Sequence, residues 1–576
     1  MKSGDRVPTG IAGLDIILNG GLAPGSAYLV EGVPGAGKTT LGLQFIYDGA
    51  TRYNESGLII TFEEFPEQLE RDAKTFGWDL KTLQTEGKLA IITTSPDALI
   101  RMMEEPGGPI DQLARAGSLK RVMVDSITHF QTLTNDAAQL REAVFGFING
   151  LRRLGATTLL TKEIERNDPR TIPFEEYLVD GIIQLSNAEQ GLLRRIRCVE
   201  VTKSRGQPHL AGRSGFRFGP AGIEVFPRLS SSWAANSRWL PEVDGAAHEE
   251  HGDPDPGSSE IHAAVADESA CPMRISIGVE GIDHMLQGGL IRGSSALVVG
   301  TSGTGKTLLC LEFLHAGLAA GEPGVLLTIE ENCGKLLNFA CAVGLDLGPH
   351  VESGLLHVEC CSAADITPGE ALWRVYRLVR SRNARRVVID SLSGLFGGEC
   401  ADIGLLQTST QHLMHLFETM NITTLVTWEI QSITGDLYIS DHGLSAIVDT
   451  LILLRYVEAG SEMRRVLGII KARGTDHDHQ LREFRITSGG FRVECKLAGF
   501  SDVLRGSARG TPKEAVEELL QPLLFIQDVA GMLRSGEVAS EQVDGALESL
   551  AQEAEGVSNA IRTRFNSVRN DSEPER

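Results

Sequence analysis

Short apolar runs alternate with amphipathic stretches along most of this chain. Residues 27–31, 58–62 and 122–124 are largely apolar, and 296–299, 325–329 and 387–389 repeat the pattern. Runs of this length, bounded by turn residues, predict strands buried on both faces. After them come stretches with apolar residues at helical spacing, as at 41–46 and 308–314. Strand alternating with helix predicts an α/β fold, a mostly parallel sheet flanked by helices. Late in the first region the pattern becomes strand-rich, at 182–185, 197–203 and 216–225, with glycine punctuation. Those segments predict antiparallel strands added at the sheet edge.

The whole pattern occurs twice. Thr9-Gly10-Ile11-Ala12-Gly13-Leu14-Asp15 is echoed by Ile277-Gly278-Val279-Glu280-Gly281-Ile282-Asp283, and Gly20-Gly21-Leu22 by Gly288-Gly289-Leu290. Matched pairs stay offset by roughly 265 to 269 positions, a duplicated domain rather than a solenoid repeat. Two tandem domains are expected, at 1–229 and 273–506. Between them, 230–272 loses periodicity, carries Asp253-Pro254-Asp255-Pro256-Gly257, and is acidic, so it predicts a disordered linker. From 507 to 576 apolar residues recur at helical spacing, first Val516, Leu519, Leu520, Leu523 and Ile526, then Val543, Leu547, Leu550, Ala554, Val557 and Ile561. This C-terminal tail predicts helices, either a hairpin packed on itself or a surface for a protein partner, with a disordered end.

Composition narrows the partners. Across 576 residues, 54 basic against 76 acidic side chains give a net charge of −22, a poor match to a phosphate backbone. The nine cysteines include no C-x-x-C, and free, mostly buried thiols in a reducing cytoplasm are the expectation. No leader and no apolar stretch long enough for a bilayer are evident, so a cytoplasmic chain without a membrane is expected.

Chemistry enters with two glycine loops, Gly32-Val33-Pro34-Gly35-Ala36-Gly37-Lys38-Thr39 and Gly300-Thr301-Ser302-Gly303-Thr304-Gly305-Lys306-Thr307. Each lies between a predicted strand and a predicted helix, the context a phosphate-binding loop requires. Main-chain amides of Gly35, Ala36, Gly37, Lys38, Thr39 and Thr40, and of Gly303, Thr304, Gly305, Lys306, Thr307 and Leu308, would cradle phosphates at a helix start. Lys38 and Lys306 would reach the β/γ-phosphates, and the Thr39 and Thr307 hydroxyls would ligate Mg²⁺. ATP and Mg²⁺ are the expected cofactors, bound twice.

Three further repeated motifs suit phosphoryl transfer. Asp125 and Asp390 end apolar strands, where an aspartate beside the loop is placed to hold Mg²⁺; a helix N-cap is the structural alternative. Glu63-Glu64 and Glu330-Glu331 follow strands expected next to the loop strand, and one of each pair would orient or deprotonate the attacking oxygen. An acidic first helical turn is the alternative there. Lys203-x-Arg205-Gly206 and Lys471-x-Arg473-Gly474 put two cations on one strand face, suited to a neighbouring subunit's γ-phosphate or to a plain surface ladder.

With these motifs the chain resembles the KaiC family of RecA-like ATPases, from Thr9 to about Leu504. The resemblance implies a homo-hexameric double ring with nucleotide between subunits, ATP hydrolysis in both halves, and serine/threonine autokinase activity in the second. It places Ser445 on the family's phosphoserine, while Ala446 replaces the phosphothreonine and Ser440 is a secondary candidate. In the first half the matching positions are Glu176 and Tyr177, so that half is expected only to hydrolyse ATP. The tail departs from the family's clock members and suggests a docking site for a regulatory protein. A DNA-associated RecA-like motor, disfavoured by charge, and a nucleotide-gated scaffold with little catalysis remain as alternatives.

Overall fold

The computed structural model describes residues 6–105, 119–164, 174–190, 194–229, 273–329, 331–363, 365–396, 403–430, 444–459, 462–496, 500–501 and 507–510, with a few isolated positions besides. The linker, Glu330, Ser440 and the tail beyond 510, apart from Ala551, lie outside the described residues.

Each half builds one large sheet. In the first, strands β1 (Ala27–Gly32), β2 (Ser56–Thr61), β3 (Leu89–Thr93), β4 (Leu119–Asp125), β5 (Thr157–Glu163), β6 (Gly181–Gln190), β7 (Arg194–Ser204), β8 (Ser214–Gly219) and β9 (Gly222–Phe226) lie in the order β3-β2-β4-β5-β1-β6-β7-β8-β9. Pairing is parallel from β3 through β6 and antiparallel from β6 to β9. The second half opens with a small antiparallel ladder, β10 (Arg274–Ile275) with β11 (Leu290–Ile291). Its main sheet uses β12 (Ser295–Gly300), β13 (Gly324–Thr328), β14 (Leu356–Cys360), β15 (Arg386–Asp390), β16 (Thr423–Glu429), β17 (Thr450–Ala459), β18 (Glu462–Ala472), β19 (Arg482–Thr487) and β20 (Gly490–Lys496). The order β14-β13-β15-β16-β12-β17-β18-β19-β20 repeats the first sheet strand for strand. The fold is two tandem RecA-like α/β domains, with the expected antiparallel edge in each.

One expectation fails. The glutamate strands β2 and β13 are not neighbours of the loop strands β1 and β12; two strands separate them in each sheet. Adjacency in sequence misled here, because each parallel crossover is free to skip sheet positions.

Strands buried on both faces explain the near-continuous apolar runs. Along β1, Tyr28 and Val30 enter one core while Ala27 and Leu29 enter the other. Along β12, Ala296 and Val298 alternate in the same way with Leu297 and Val299. Each large aliphatic side chain so buried stabilises the sheet by about 1.5–3 kcal/mol. The second half's core also takes in Ile16, Phe226 and Leu229 of the first. Beside that contact Arg217 of β8 meets Glu370 on the helix Pro368–Ser381 at 2.8 Å.

A buried arginine ties each phosphate-loop helix to the strand that carries the aspartate. Arg121 of β4 is fully buried, its Nε 2.6 Å from Glu55 and its Nη1 donating to the Phe45 carbonyl at 2.8 Å. Its guanidinium lies 4.6 Å from the Phe45 ring centroid. Arg386 of β15 does the same with Glu322 (2.7 Å), the Phe313 carbonyl (2.7 Å) and the Phe313 ring (4.7 Å). Gly49 and Gly317 make room: a Cβ there would sit 2.4 and 2.3 Å from the arginine Cδ. Gly317→Ala is therefore expected to destabilise the second half by about 1–3 kcal/mol through overpacking. Arg386→Ala, which leaves Glu322 to Arg292 alone (2.7 Å) and strips the buried Phe313 carbonyl of its side-chain donor, is expected to cost about 1–3 kcal/mol. Chemical denaturation followed by hydrogen exchange in each half measures both, and unchanged second-half protection contradicts the assignment.

Candidate functional site

In the first half the glycine loop opens directly into the helix Lys38–Arg52. Gly37 caps that helix at φ 101°, a left-handed conformation, and a Cβ there would strike Phe218 at 2.7 Å. Gly305 does the same before the helix Lys306–Ala319, at φ 105° with Ile486 at 2.9 Å. Gly35 faces open space. The Ala36 and Leu308 side chains are buried, and Thr304 is buried with its hydroxyl donating to the Thr301 carbonyl at 2.8 Å. At these positions main chain alone is available to a ligand.

A cleft of about 510 Å³ lies over the first loop, lined by Gly35, Gly37, Lys38, Thr39 and Thr40 together with Glu63, Glu64 and Asp125. The strand ends thus bring together the sequence-predicted residues of three separate motifs. Lys38 is buried; its Nζ donates to the Gly32 and Val33 carbonyls at 3.0 and 3.2 Å and stands 3.8 Å from Glu163. Burial lowers its pKa, opposed by the negative charges of Glu163 and Asp125. In the second half Lys306 donates to the Thr301 carbonyl at 2.8 Å, stands 3.8 Å from Glu429, and its pKa is likewise lowered by burial.

Asp125 accepts from the Thr39 hydroxyl at 2.7 Å and is also held by Thr161. Asp390 is held by Thr427 in the same manner. The Asp125–Ser126 and Asp390–Ser391 peptides are both cis. The turn after β4 has Ser126 rather than Asp125 at its cap, with no side-chain cap bond, and after β15 the Ser391 hydroxyl accepts from Gly394 N at 3.3 Å. Hydroxyl and carboxylate oxygens side by side beside a phosphate loop are the hard-donor set that Mg²⁺ prefers. Together with the open glycine face they fit a Mg²⁺–nucleotide complex, with Thr39 and Asp125, or Thr307 and Asp390, as the residues that would hold the ion.

The two glutamates of the first pair differ. Glu63 is largely exposed and its Oε1 lies 3.1 Å from His129 Nε2. Glu64 is half-buried, and its Oε2 is buried without a hydrogen-bond partner. Burial, then the charge of Asp125, raises its pKa. Its main chain is fixed by the Thr61 hydroxyl, which accepts from Glu64 N at 3.1 Å. Neither glutamate caps the following helix, whose N-cap Phe65 makes no side-chain cap bond. Both glutamates of the pair line the cleft. In the second half Glu331 is exposed.

The Lys-x-Arg-Gly cations reach carbonyls of a short helix in their own half. Lys203 Nζ donates to the Glu176 and Val179 carbonyls at 2.6 and 2.8 Å, and Arg205 to that of Tyr177 at 3.2 Å. Lys471 Nζ donates to the Ser445 and Val448 carbonyls at 2.7 and 2.6 Å, and Arg473 to that of Ala446 at 3.0 Å. Burial, then the neighbouring arginine, lowers both lysine pKa values. Ser445 is half-buried and Ala446 exposed, both on the short helix Leu444–Ile447.

Sequence reasoning missed Glu163, Glu429, Thr161, Thr427 and His129. Thr161-Lys162-Glu163 and Thr427-Trp428-Glu429 lie at matching positions of the repeat, so a signal was present. His129 has Gly394 as its counterpart and left none. A second miss concerns the thiols: Cys333 and Cys360 form a disulfide, against the expectation of free cysteines, while Cys198, Cys310, Cys341 and Cys361 are free. Spacing within the chain cannot show that a helix start and a strand end 27 residues apart converge.

The raised Glu64 pKa has a consequence for stability. The fold favours its protonated form, so stability falls as pH rises through and above the ordinary carboxylate range. Without nucleotide, Glu64→Gln is expected to raise the melting temperature of the first half near pH 7.5. The difference should vanish near pH 4. A variant melting below the wild type at pH 7.5 contradicts the assigned cause.

A family model described as the KaiC ATPase matches residues 7–230 and again 275–497. The circadian clock oscillator protein KaiC of Thermostichus vulcanus is 31% identical over 541 residues, covering 91% of this chain and 96% of its own. That of Synechococcus elongatus is 30% identical, covering 91% and 95%, and that of Nostoc 29% identical, covering 92% and 96%. No described helix is long and apolar enough to cross a membrane. Duplicated sheets, two phosphate loops and near full-length similarity agree: the chain belongs to the KaiC family of ATPases.

Proposed function

We propose that the chain binds Mg²⁺–ATP at both glycine loops and hydrolyses it in both halves. In the second half we propose transfer of the γ-phosphoryl group to Ser445 of an adjoining copy, in a homo-hexameric ring. The observation that carries the hydrolysis reading is the cleft where Lys38, the Thr39–Asp125 pair and Glu64 converge.

Lys38 and Lys306 would balance phosphate charge, their buried positions strengthening that attraction. Mg²⁺, when bound, would neutralise charge on the phosphate oxygens. Glu63 or Glu64 would orient and deprotonate water, and Glu330 or Glu331 either water or the Ser445 hydroxyl. Support for Glu64 as the first-half base comes from its unpartnered buried oxygen and raised pKa. Lys203, Arg205, Lys471 and Arg473 would meet the γ-phosphate of the adjoining subunit. Because the second pair also holds the carbonyls of Ser445 and Ala446, that contact would position the acceptor segment.

Restriction of phosphorylation to the second half is supported by residue identity. The first half has Glu176 and Tyr177 where the second has Ser445 and Ala446, and Ser445 is the only hydroxyl in Leu444–Ile447. The reading is therefore of single-site phosphorylation, reported to a protein partner, with the helical pattern of the tail as the proposed docking site.

Incubation of the full chain with Mg²⁺–ATP should add one phosphoryl mass, located at Ser445 by fragmentation and lost in Ser445→Ala. An unmodified mass removes the kinase claim. Glu64→Gln combined with Glu330→Gln and Glu331→Gln should lower ATP turnover roughly 10²-fold. Turnover retained in that combined variant removes the base assignment.

A further inference from the structure

The disulfide lies beside the glutamate loop of the second half, and only there. In both halves the loop leaves a strand end that pairs with the edge strand, Thr61 with Thr93 and Thr328 with Cys360. In the first half hydroxyls hold the loop. Thr61 Oγ1 bonds the Glu64 main chain, Thr93 Oγ1 donates to the Glu64 carbonyl at 3.4 Å, and Pro66 fixes the start of the next helix.

Among the described residues, the second half has none of these three ties. Thr328 Oγ1 is buried without a hydrogen-bond partner, Cys360 stands in place of Thr93, and Cys333 in place of Pro66. The Cys333–Cys360 bond, with Cα atoms 5.9 Å apart, closes the loop instead. The backbone ladder fixes one end, where Cys361 N donates to the Thr328 carbonyl at 2.9 Å and Ile329 N to that of Asp390 at 2.9 Å. The disulfide fixes the other end, at the first turn of the helix Cys333–Ala342. With the bond open, the side-chain tie at that turn is the Asn332 cap on Gly334 N at 2.9 Å.

We propose that Cys333 and Cys360 are a reversible thiol–disulfide exchange site that, when oxidised, orders the segment from Glu331 into the helix Cys333–Ala342. Both cysteines are half-buried, which leaves the bond open to a small thiol. In reduction, a monothiol's thiolate attacks one sulfur, forms a mixed disulfide and releases the other cysteine as a thiolate. A second monothiol's thiolate then attacks the first monothiol's sulfur and releases the remaining cysteine as a thiolate, leaving two protein thiols and one low-molecular-weight disulfide. Oxidation by such a disulfide runs the same steps backward. The effect on turnover rests on the proposed role of Glu330 or Glu331, whereas the exchange chemistry does not.

The test equilibrates the full chain in mixtures of reduced and oxidised glutathione. Alkylation and peptide mass then give the disulfide fraction, and hydrogen exchange reports order across 331–342. ATP turnover is followed in a Glu63→Gln/Glu64→Gln background, which isolates the second half. Expected are a disulfide that forms and opens reversibly, faster exchange across 331–342 on reduction, and turnover lower by roughly threefold or more, since small displacements of a catalytic group are costly. Cys333→Ser should match the reduced protein at every glutathione ratio. Full alkylation of both cysteines at every ratio, or equal exchange in the two states, overturns the proposal. Turnover unchanged while exchange differs overturns its control of catalysis. A background variant with no turnover in either state defeats the hydrolysis reading of the second half, and hydrogen exchange still decides the loop's order.

Discussion

The burial of one guanidinium in each half governs the geometry of everything above it. Arg121 and Arg386 sit between the helix that starts at the phosphate loop and the strand that ends at the aspartate. Carbonyl and carboxylate partners offset the charge, and the rings of Phe45 and Phe313 cover it. Since the helix and strand are both rigid, fixing them near the bottom of the sheet fixes the top. There, Thr39 at the helix start and Asp125 at the strand end come within hydrogen-bond distance. The glycines opposite the arginines are therefore as much part of the nucleotide site as the loop glycines, though they touch no ligand.

What was legible in the sequence was whatever is local or repeated. The two loops announce themselves by glycine spacing between strand and helix, and Asp125 and Asp390 by ending apolar runs at matching positions. Side chains that approach from distant strands were hidden. Glu163 reaches the loop lysine from β5, His129 reaches Glu63 from the turn after β4, and neither motif has a fixed spacing to what it meets. Strand order is hidden for the same reason, so the expectation that the glutamate strands adjoin the loop strands misses the two strands that intervene. The disulfide depends on register between β13 and β14, which periodicity does not encode.

Duplication makes the differences between halves informative. The frame is conserved within the molecule, from buried arginine to cation-held short helix. The departures lie around the chemistry: His129 against Gly394, Glu176 and Tyr177 against Ser445 and Ala446, Pro66 and Thr93 against Cys333 and Cys360. One frame thus carries two differently finished sites. They are physically joined, because Arg217 on the first sheet's edge meets Glu370, which also pairs with Arg374, and Arg374 in turn pairs with Glu359 beside Cys360.

The central claim is that both glycine loops bind the same Mg²⁺-complexed nucleotide. Native mass spectrometry of the full chain with a non-hydrolysable ATP analogue counts occupancy per subunit directly. The account predicts two analogues per subunit, and one in either Lys38→Ala or Lys306→Ala. A single analogue in the wild type, or two retained when both lysines are replaced together, would contradict it.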